Sequence, residues 1–94
     1  MRRTESLAAE TRKLRDAPNN PDVLYRMAAL ESSLGRNNAA IAHLEAAATA
    51  GWIDYRSLLL DPRFDKIGDD ERFHAILGRI RLKVDELQRA AREL

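Results

Sequence analysis

Apolar residues recur along this chain at spacings of three and four, the pattern of helices that bury one face. In 4–16, Leu7, Thr11 and Leu14 share a face with Ala8 beside them, a thin stripe that predicts a helix of limited burial. Ala17-Pro18-Asn19-Asn20 ends it, because proline lacks an amide donor and disfavours a helical residue before it. A second helix starts at Pro21, with Asn20 as cap and Asp22 set against the positive end of the helix dipole. Its predicted buried side is Leu24, Met27, Ala28 and Leu34, flanked by Val23 and Leu30, and Gly35 supplies the left-handed residue that closes it. Asn37 or Asn38 is expected to cap a third helix, in which Ile41, Leu44, Ala47 and Ala48 recur. Ala39, Ala40, Ala42, Ala46 and Ala50 fill that helix and let neighbours approach closely. The hairpin 21–50 is the best-defined stretch of the chain.

Beyond Gly51 the pattern shortens. Residues 53–60 predict a short helix, Asp61 caps a single turn begun by Pro62, and Phe64 and Ile67 close the exposed edge, so that 53–68 forms a truncated unit. Gly68 breaks the chain, and Asp69 or Asp70 caps a long last helix over 70–93. There Phe73, Leu77, Ile80, Val84, Leu87, Ala91 and Leu94 alternate by four and three, a heptad seam. The first half, with Ile76, is broad enough to pack on the body of the domain. The narrow second half has three destinations open to it: back over the first helices, against another chain, or onward to a further domain.

A fixed period tests for repeats. Gly51-Trp52 follows Ala17-Pro18 by 34 residues, Leu7 maps onto Ile41, Leu14 onto Ala48 and Leu24 onto Leu58. The register fails where Met27 and Ala28 would fall on Asp61 and Pro62. The middle unit resembles a tetratricopeptide repeat: Leu24, Met27 and Ala28 match its first helix, Gly35 its turn, Ala40, Leu44 and Ala47 its second helix, and Pro18 the proline closing the preceding unit. Glu31 stands where that family prefers an aromatic, Trp52 replaces the next closing proline, and Glu10 and Lys13 depart from the preceding half-repeat. The tail, from Gly51-Trp52 through Asp61-Pro62-Arg63-Phe64 to Ile76-Leu77, is similar to a C-terminal ending that closes such arrays in bacterial multidomain proteins. The resemblance implies an all-α fold of about five helices in antiparallel hairpins stacked in the tetratricopeptide manner, with a truncated last repeat and a long C-terminal helix. A terminal cap is what a solenoid needs to keep its last apolar face dry.

Composition narrows the function. The 94 residues make a single helical domain with a modest core. Lys+Arg 16 against Asp+Glu 15 leaves no basic excess, which argues against specific nucleic-acid binding, although Arg2, Arg3, Arg12, Lys13 and Arg15 make the first helix the most basic part. There is no cysteine, hence no disulfide, thiol catalysis or cysteine metal site. No apolar run reaches the roughly 18 residues of a membrane span, and the N-terminal arginines precede no apolar signal core, which favours the cytoplasm. His43 and His74 lack metal-ligand spacing, and the acids Asp61, Asp65, Asp69, Asp70 and Glu71 do not follow a calcium-loop pattern, so no metal or cofactor is expected. Seven Ser and Thr residues include no nucleophile elbow, and no phosphate-binding glycine loop is present, so the expectation is a protein without catalytic activity.

What survives is a protein-interaction or scaffolding module with a protein or peptide partner, either a small adaptor or the C-terminal end of a larger array. In the tetratricopeptide family the first helix of each unit lines a concave groove. By that resemblance the groove here is lined by Asp22, Tyr25, Arg26, Ala29, Ser32 and Ser33, joined by Arg56 and Arg63. Tyr25 and the arginines are residue types favoured at interface hot spots, although Tyr25 equally suits a place between helices. The lysine–asparagine clamp of some family members is missing, since Tyr25 and Ala29 stand in its place. The alternative reading is a structural element whose last helix pairs two chains through Val84, Leu87, Ala91 and Leu94.

Overall fold

Proline in the first turn and glycine just past the end decide where the central elements start and stop. In a computed structural model, which describes residues 7–93, the elements are α1 (Leu7–Asp16), α2 (Pro21–Ser33), α3 (Asn37–Thr49), α4 (Tyr55–Leu60), a 3-10 helix at Pro62–Ile67, and α5 (Glu71–Arg92). No strand occurs among the described residues, and the fold is an all-α arrangement of helical hairpins. The first residues of the predicted 4–16 helix, with Arg2 and Arg3, and Leu94 of the seam lie outside the described residues.

Local chemistry accounts for most of the boundaries. The Asn20 side chain accepts from the amides of Asp22 and Val23 at 3.0 and 3.3 Å, and Pro21 occupies the first turn where its missing donor is harmless. Gly35 has φ 81° and Gly51 φ 112°, both in the left-handed region that closes a helix without a Cβ clash. Asp54, Asp61 and Asp70 cap α4, the 3-10 helix and α5 through their carboxylates. α2 begins at Pro21 and α4 at Tyr55, one period of 34 residues on. α4 then stops after Leu60, because Pro62 holds Asp61 extended at φ −81° and ψ 110°.

Three sequence expectations need correction. Leu34 is not on the buried side of α2; it is 58% exposed, because the helix ends at Ser33 and Leu34 belongs to the turn. Neither Asn37 nor Asn38 caps α3: Arg36 holds the cap position without a side-chain hydrogen bond, and Asn38 Oδ1 accepts from Arg72 of α5 at 3.0 Å. The second half of α5 does not fold back over α1 and α2. α5 packs against α3 and α4, and residues 85–92 are exposed.

α2 is the axis of the packing, in contact with α1, α3 and the 3-10 helix. Ala28, Ala40 and Ala47 are fully buried where α2 and α3 meet, so small side chains bring the two backbones together. Leu44, Leu58, Phe64, Ile67, Phe73, Ile76 and Ile80 continue one core from α3 through the tail to α5. Tyr25 stacks on Trp52 with centroids 4.1 Å apart and planes 8° from parallel, Phe64 lies 5.5 Å from Tyr25, and Phe73 lies 5.9 Å from Phe64. This aromatic chain of one stacked and two tilted pairs ties the truncated unit to the hairpin. Among the described residues, no helix is long and apolar enough to cross a membrane.

Candidate interaction surface

The α2 face read as groove lining is largely closed. Ala29 and Ser32 are fully buried, and Tyr25 is 8% exposed. The cause is the 3-10 helix, which packs along α2 and fills the space that an open groove would need. Arg26 is half-buried and donates from Nε to Glu10 at 3.1 Å, while Asp22 and Ser33 are exposed. Arg56 is exposed on α4, beside Asp54 and Tyr55, away from this set. The structure does bring Tyr25 and Arg63 together, but through Asp61 and as a fastening within the chain.

That fastening is well defined. Tyr25 OH donates to Asp61 Oδ2 at 2.6 Å, and Arg63 reaches the same carboxylate from Nε at 3.0 Å and from Nη2 at 2.9 Å. Burial opposes the charge on Asp61, but the hydrogen bonds from Arg63 and Tyr25 outweigh it and hold the carboxyl below its usual range. Tyr25 is pushed far above the ordinary tyrosine value, first by burial and then by donating to the Asp61 carboxylate. Two further polar pairs lie between helices. Glu10, fully buried, is held by Arg26 at 3.1 Å and by Lys13 at 3.3 Å, which explains an acid on the thin inner stripe of α1. Glu31, 5% exposed, meets His43 Nδ1 of α3 at 2.6 Å, so the position where an aromatic was expected carries a cross-helix pair instead.

The open apolar surface lies elsewhere, on α4 and α5. Leu59 and Leu60 are 59% and 81% exposed, Leu82 and Leu87 62% and 46%. A shallow groove of about 240 Å³ runs between the two helices, lined by Tyr55, Leu59, His74, Leu77, Gly78 and Arg81. On the other flank of α5 a second groove of about 360 Å³ involves Trp52, Ile53, Leu82, Lys83 and Glu86. Of the pairing seam, Val84 is half-buried against the start of α4, whereas Leu87 and Ala91 face solvent. Sequence reasoning passed over Leu59, Leu60, Arg81 and Leu82 as surface residues. A signal was present: a six-residue helix cannot bury Leu58, Leu59 and Leu60 together, since consecutive positions point about 100° apart.

Comparison with protein-family models, with curated proteins and with solved structures returned no match to this chain. No group of three or more His, Cys, Asp or Glu placed to hold a metal ion occurs among the described residues.

Proposed function

We propose that this protein is a non-catalytic interaction module of tetratricopeptide type, whose partner is a protein or peptide. The observation that carries the reading is the exposed apolar surface of α4 and α5. Leu59, Leu60 and Leu82 stand more than half exposed while the adjoining Leu58, Ile76 and Ile80 are fully packed. Exposed leucines on both flanks of a well-packed helix pair are the kind of apolar surface that supports a contact role. Ala28, Ala40, Leu44 and Ala47, the positions on which the resemblance rests, are fully buried, as in any close-packed helical hairpin. The test is a diverse peptide library presented to the intact chain, with Leu59→Glu as the counter-screen. Saturable binding that Leu59→Glu removes, with unchanged circular dichroism, is the expected result. A library with no binder overturns the reading.

A second reading has its own observation. Residues 85–92 of α5 are exposed with Leu87 46% open, which suits a structural role in which two chains pair through this helix. Sedimentation of the intact chain and of a chain ending at Val84 separates the two. A monomer at high concentration eliminates pairing.

A further inference from the structure

We infer that the α4–α5 groove receives an amphipathic helix from a partner protein, one that places leucine-type anchors between two carboxylates seven residues apart. The inference rests on the interaction-module reading and adds the chemistry of the ligand. Tyr55 and Leu59 stand one helical turn apart on α4, facing Leu77 and Gly78 of α5 across the groove. About 240 Å³ is too small for a cofactor-sized molecule but suits one or two aliphatic side chains. Gly78 lies in the interior of α5, where glycine weakens a helix, and a Cβ added there would meet nothing within 4 Å. Packing within the chain does not require this glycine, and its bare backbone leaves room for a helix approaching from outside.

Charge supplies the rest. His74 and Arg81 sit at the two ends of the groove, seven residues apart on α5, a distance of about 10.5 Å along a helix. Among the described residues no carboxylate lines the groove itself, although Asp70 at the start of α5 interacts electrostatically with His74, and Arg81 is exposed without an ion-pair partner. On the opposite flank of the same helix, Arg72 is engaged by Asp70 and Asn38, and Arg79 by Glu45 and Thr49. Carboxylates at positions i and i+7 of a docked helix match the spacing of the Arg81 guanidinium and the His74 ring N–H, and residues i+3 and i+4 then enter the apolar centre. A second copy of this chain fits less well. The exposed end of its α5 offers Glu86 and Glu93 at the same spacing, but Arg89 and Ala90 lie between them, so the strip lacks an aliphatic anchor and brings arginine towards Arg81.

The experiment uses a fluorescein-labelled helical peptide with two glutamates seven residues apart and leucines at the third and fourth positions after the first. It is titrated with the intact chain and followed by anisotropy. Saturable binding is expected, weakened about fivefold by Arg81→Glu and about fivefold again by replacing the peptide's glutamates with lysine. The lysine peptide should bind Arg81→Glu better than it binds the unmodified chain, and Leu59→Glu should abolish binding with unchanged circular dichroism. Equal binding of glutamate and lysine peptides overturns the inference. So does self-association of the chain that Leu59→Glu removes, because the occupant is then a second copy. If library peptides of other chemistry bind this surface and the acidic helix does not, the ligand chemistry falls and the interaction reading stands; if no peptide binds, both fall.

Discussion

Removing a single oxygen tests how the truncated unit is fastened to the hairpin. Tyr25→Phe keeps the ring, and with it the 4.1 Å stack on Trp52, but deletes the donor that reaches Asp61 Oδ2 at 2.6 Å. A hydrogen bond to a charged group contributes about 1.5–3 kcal/mol. Asp61 keeps its Arg63 contacts at 2.9 and 3.0 Å and some access to water, which places the expected loss at the lower end, about 1.5–2 kcal/mol. For a domain of this size that corresponds to roughly 6–16 °C in Tm. Urea titrations followed by circular dichroism and by the fluorescence of the single tryptophan, Trp52, measure it directly. The pH dependence has two arms. Tyr25 has a raised pKa in the fold, so the stability of its neutral hydroxyl is fully present below about pH 10 and is lost as pH rises towards the folded value. Asp61 has a lowered pKa, so its contribution is present above about pH 3.9 and is lost as pH falls through the folded value. Tyr25→Phe should abolish the alkaline arm and leave the acid arm reduced but present. A variant within 0.5 kcal/mol of the parent, or an unchanged alkaline arm, would refute the role assigned to this hydroxyl.

The remaining predictions concern stability at neutral pH. His43→Ala leaves the Glu31 carboxylate buried without its 2.6 Å hydrogen-bond partner and should cost about 1.5–3 kcal/mol; adding Glu31→Leu should recover most of it, and no recovery would argue against the pair. Ser32→Ala removes a buried hydroxyl that has no hydrogen-bond partner among the described residues, so stability should hold or rise by about 0.5–1 kcal/mol; a measured loss above 1 kcal/mol would reveal a hidden partner. Gly35→Val should lower stability by more than about 1 kcal/mol through its φ of 81° and not through contact, since an added Cβ comes no nearer than 3.9 Å to Lys66 Nζ. Trp52→Ala should cost about 3–5 kcal/mol in a denaturant melt, because it empties a site only 8% exposed and breaks the stack with Tyr25.

Local codes were readable in the sequence because they act within a few residues. Asn20-Pro21, Gly35, Gly51, Asp61-Pro62 and Asp70 each settle a helix boundary by capping, by a fixed φ or by a missing donor, and the structure uses every one of them. Periodicity likewise identified Leu24, Ala28, Leu44, Phe73 and Ile80 as core, because a helix buries a stripe whatever it packs against, and the turn at Asp61-Pro62 pointed to Phe64 and Ile67. What a stripe leaves unsaid is its neighbour. Only the tertiary structure decided that the 3-10 helix covers α2, so that Tyr25, Ala29 and Ser32, read as groove, became interior. Only packing across helices brought Glu10 to Arg26, Glu31 to His43 and Tyr25 to Asp61, pairs 12 to 36 residues apart that no local pattern encodes. Leu59 and Leu60 show the same division from the other side. Their sequence marks them as apolar, while their exposure follows from α4 having α5 on one flank and open space on the other. Within-helix chemistry settled where each element begins and ends, and packing between helices decided which apolar faces stay open.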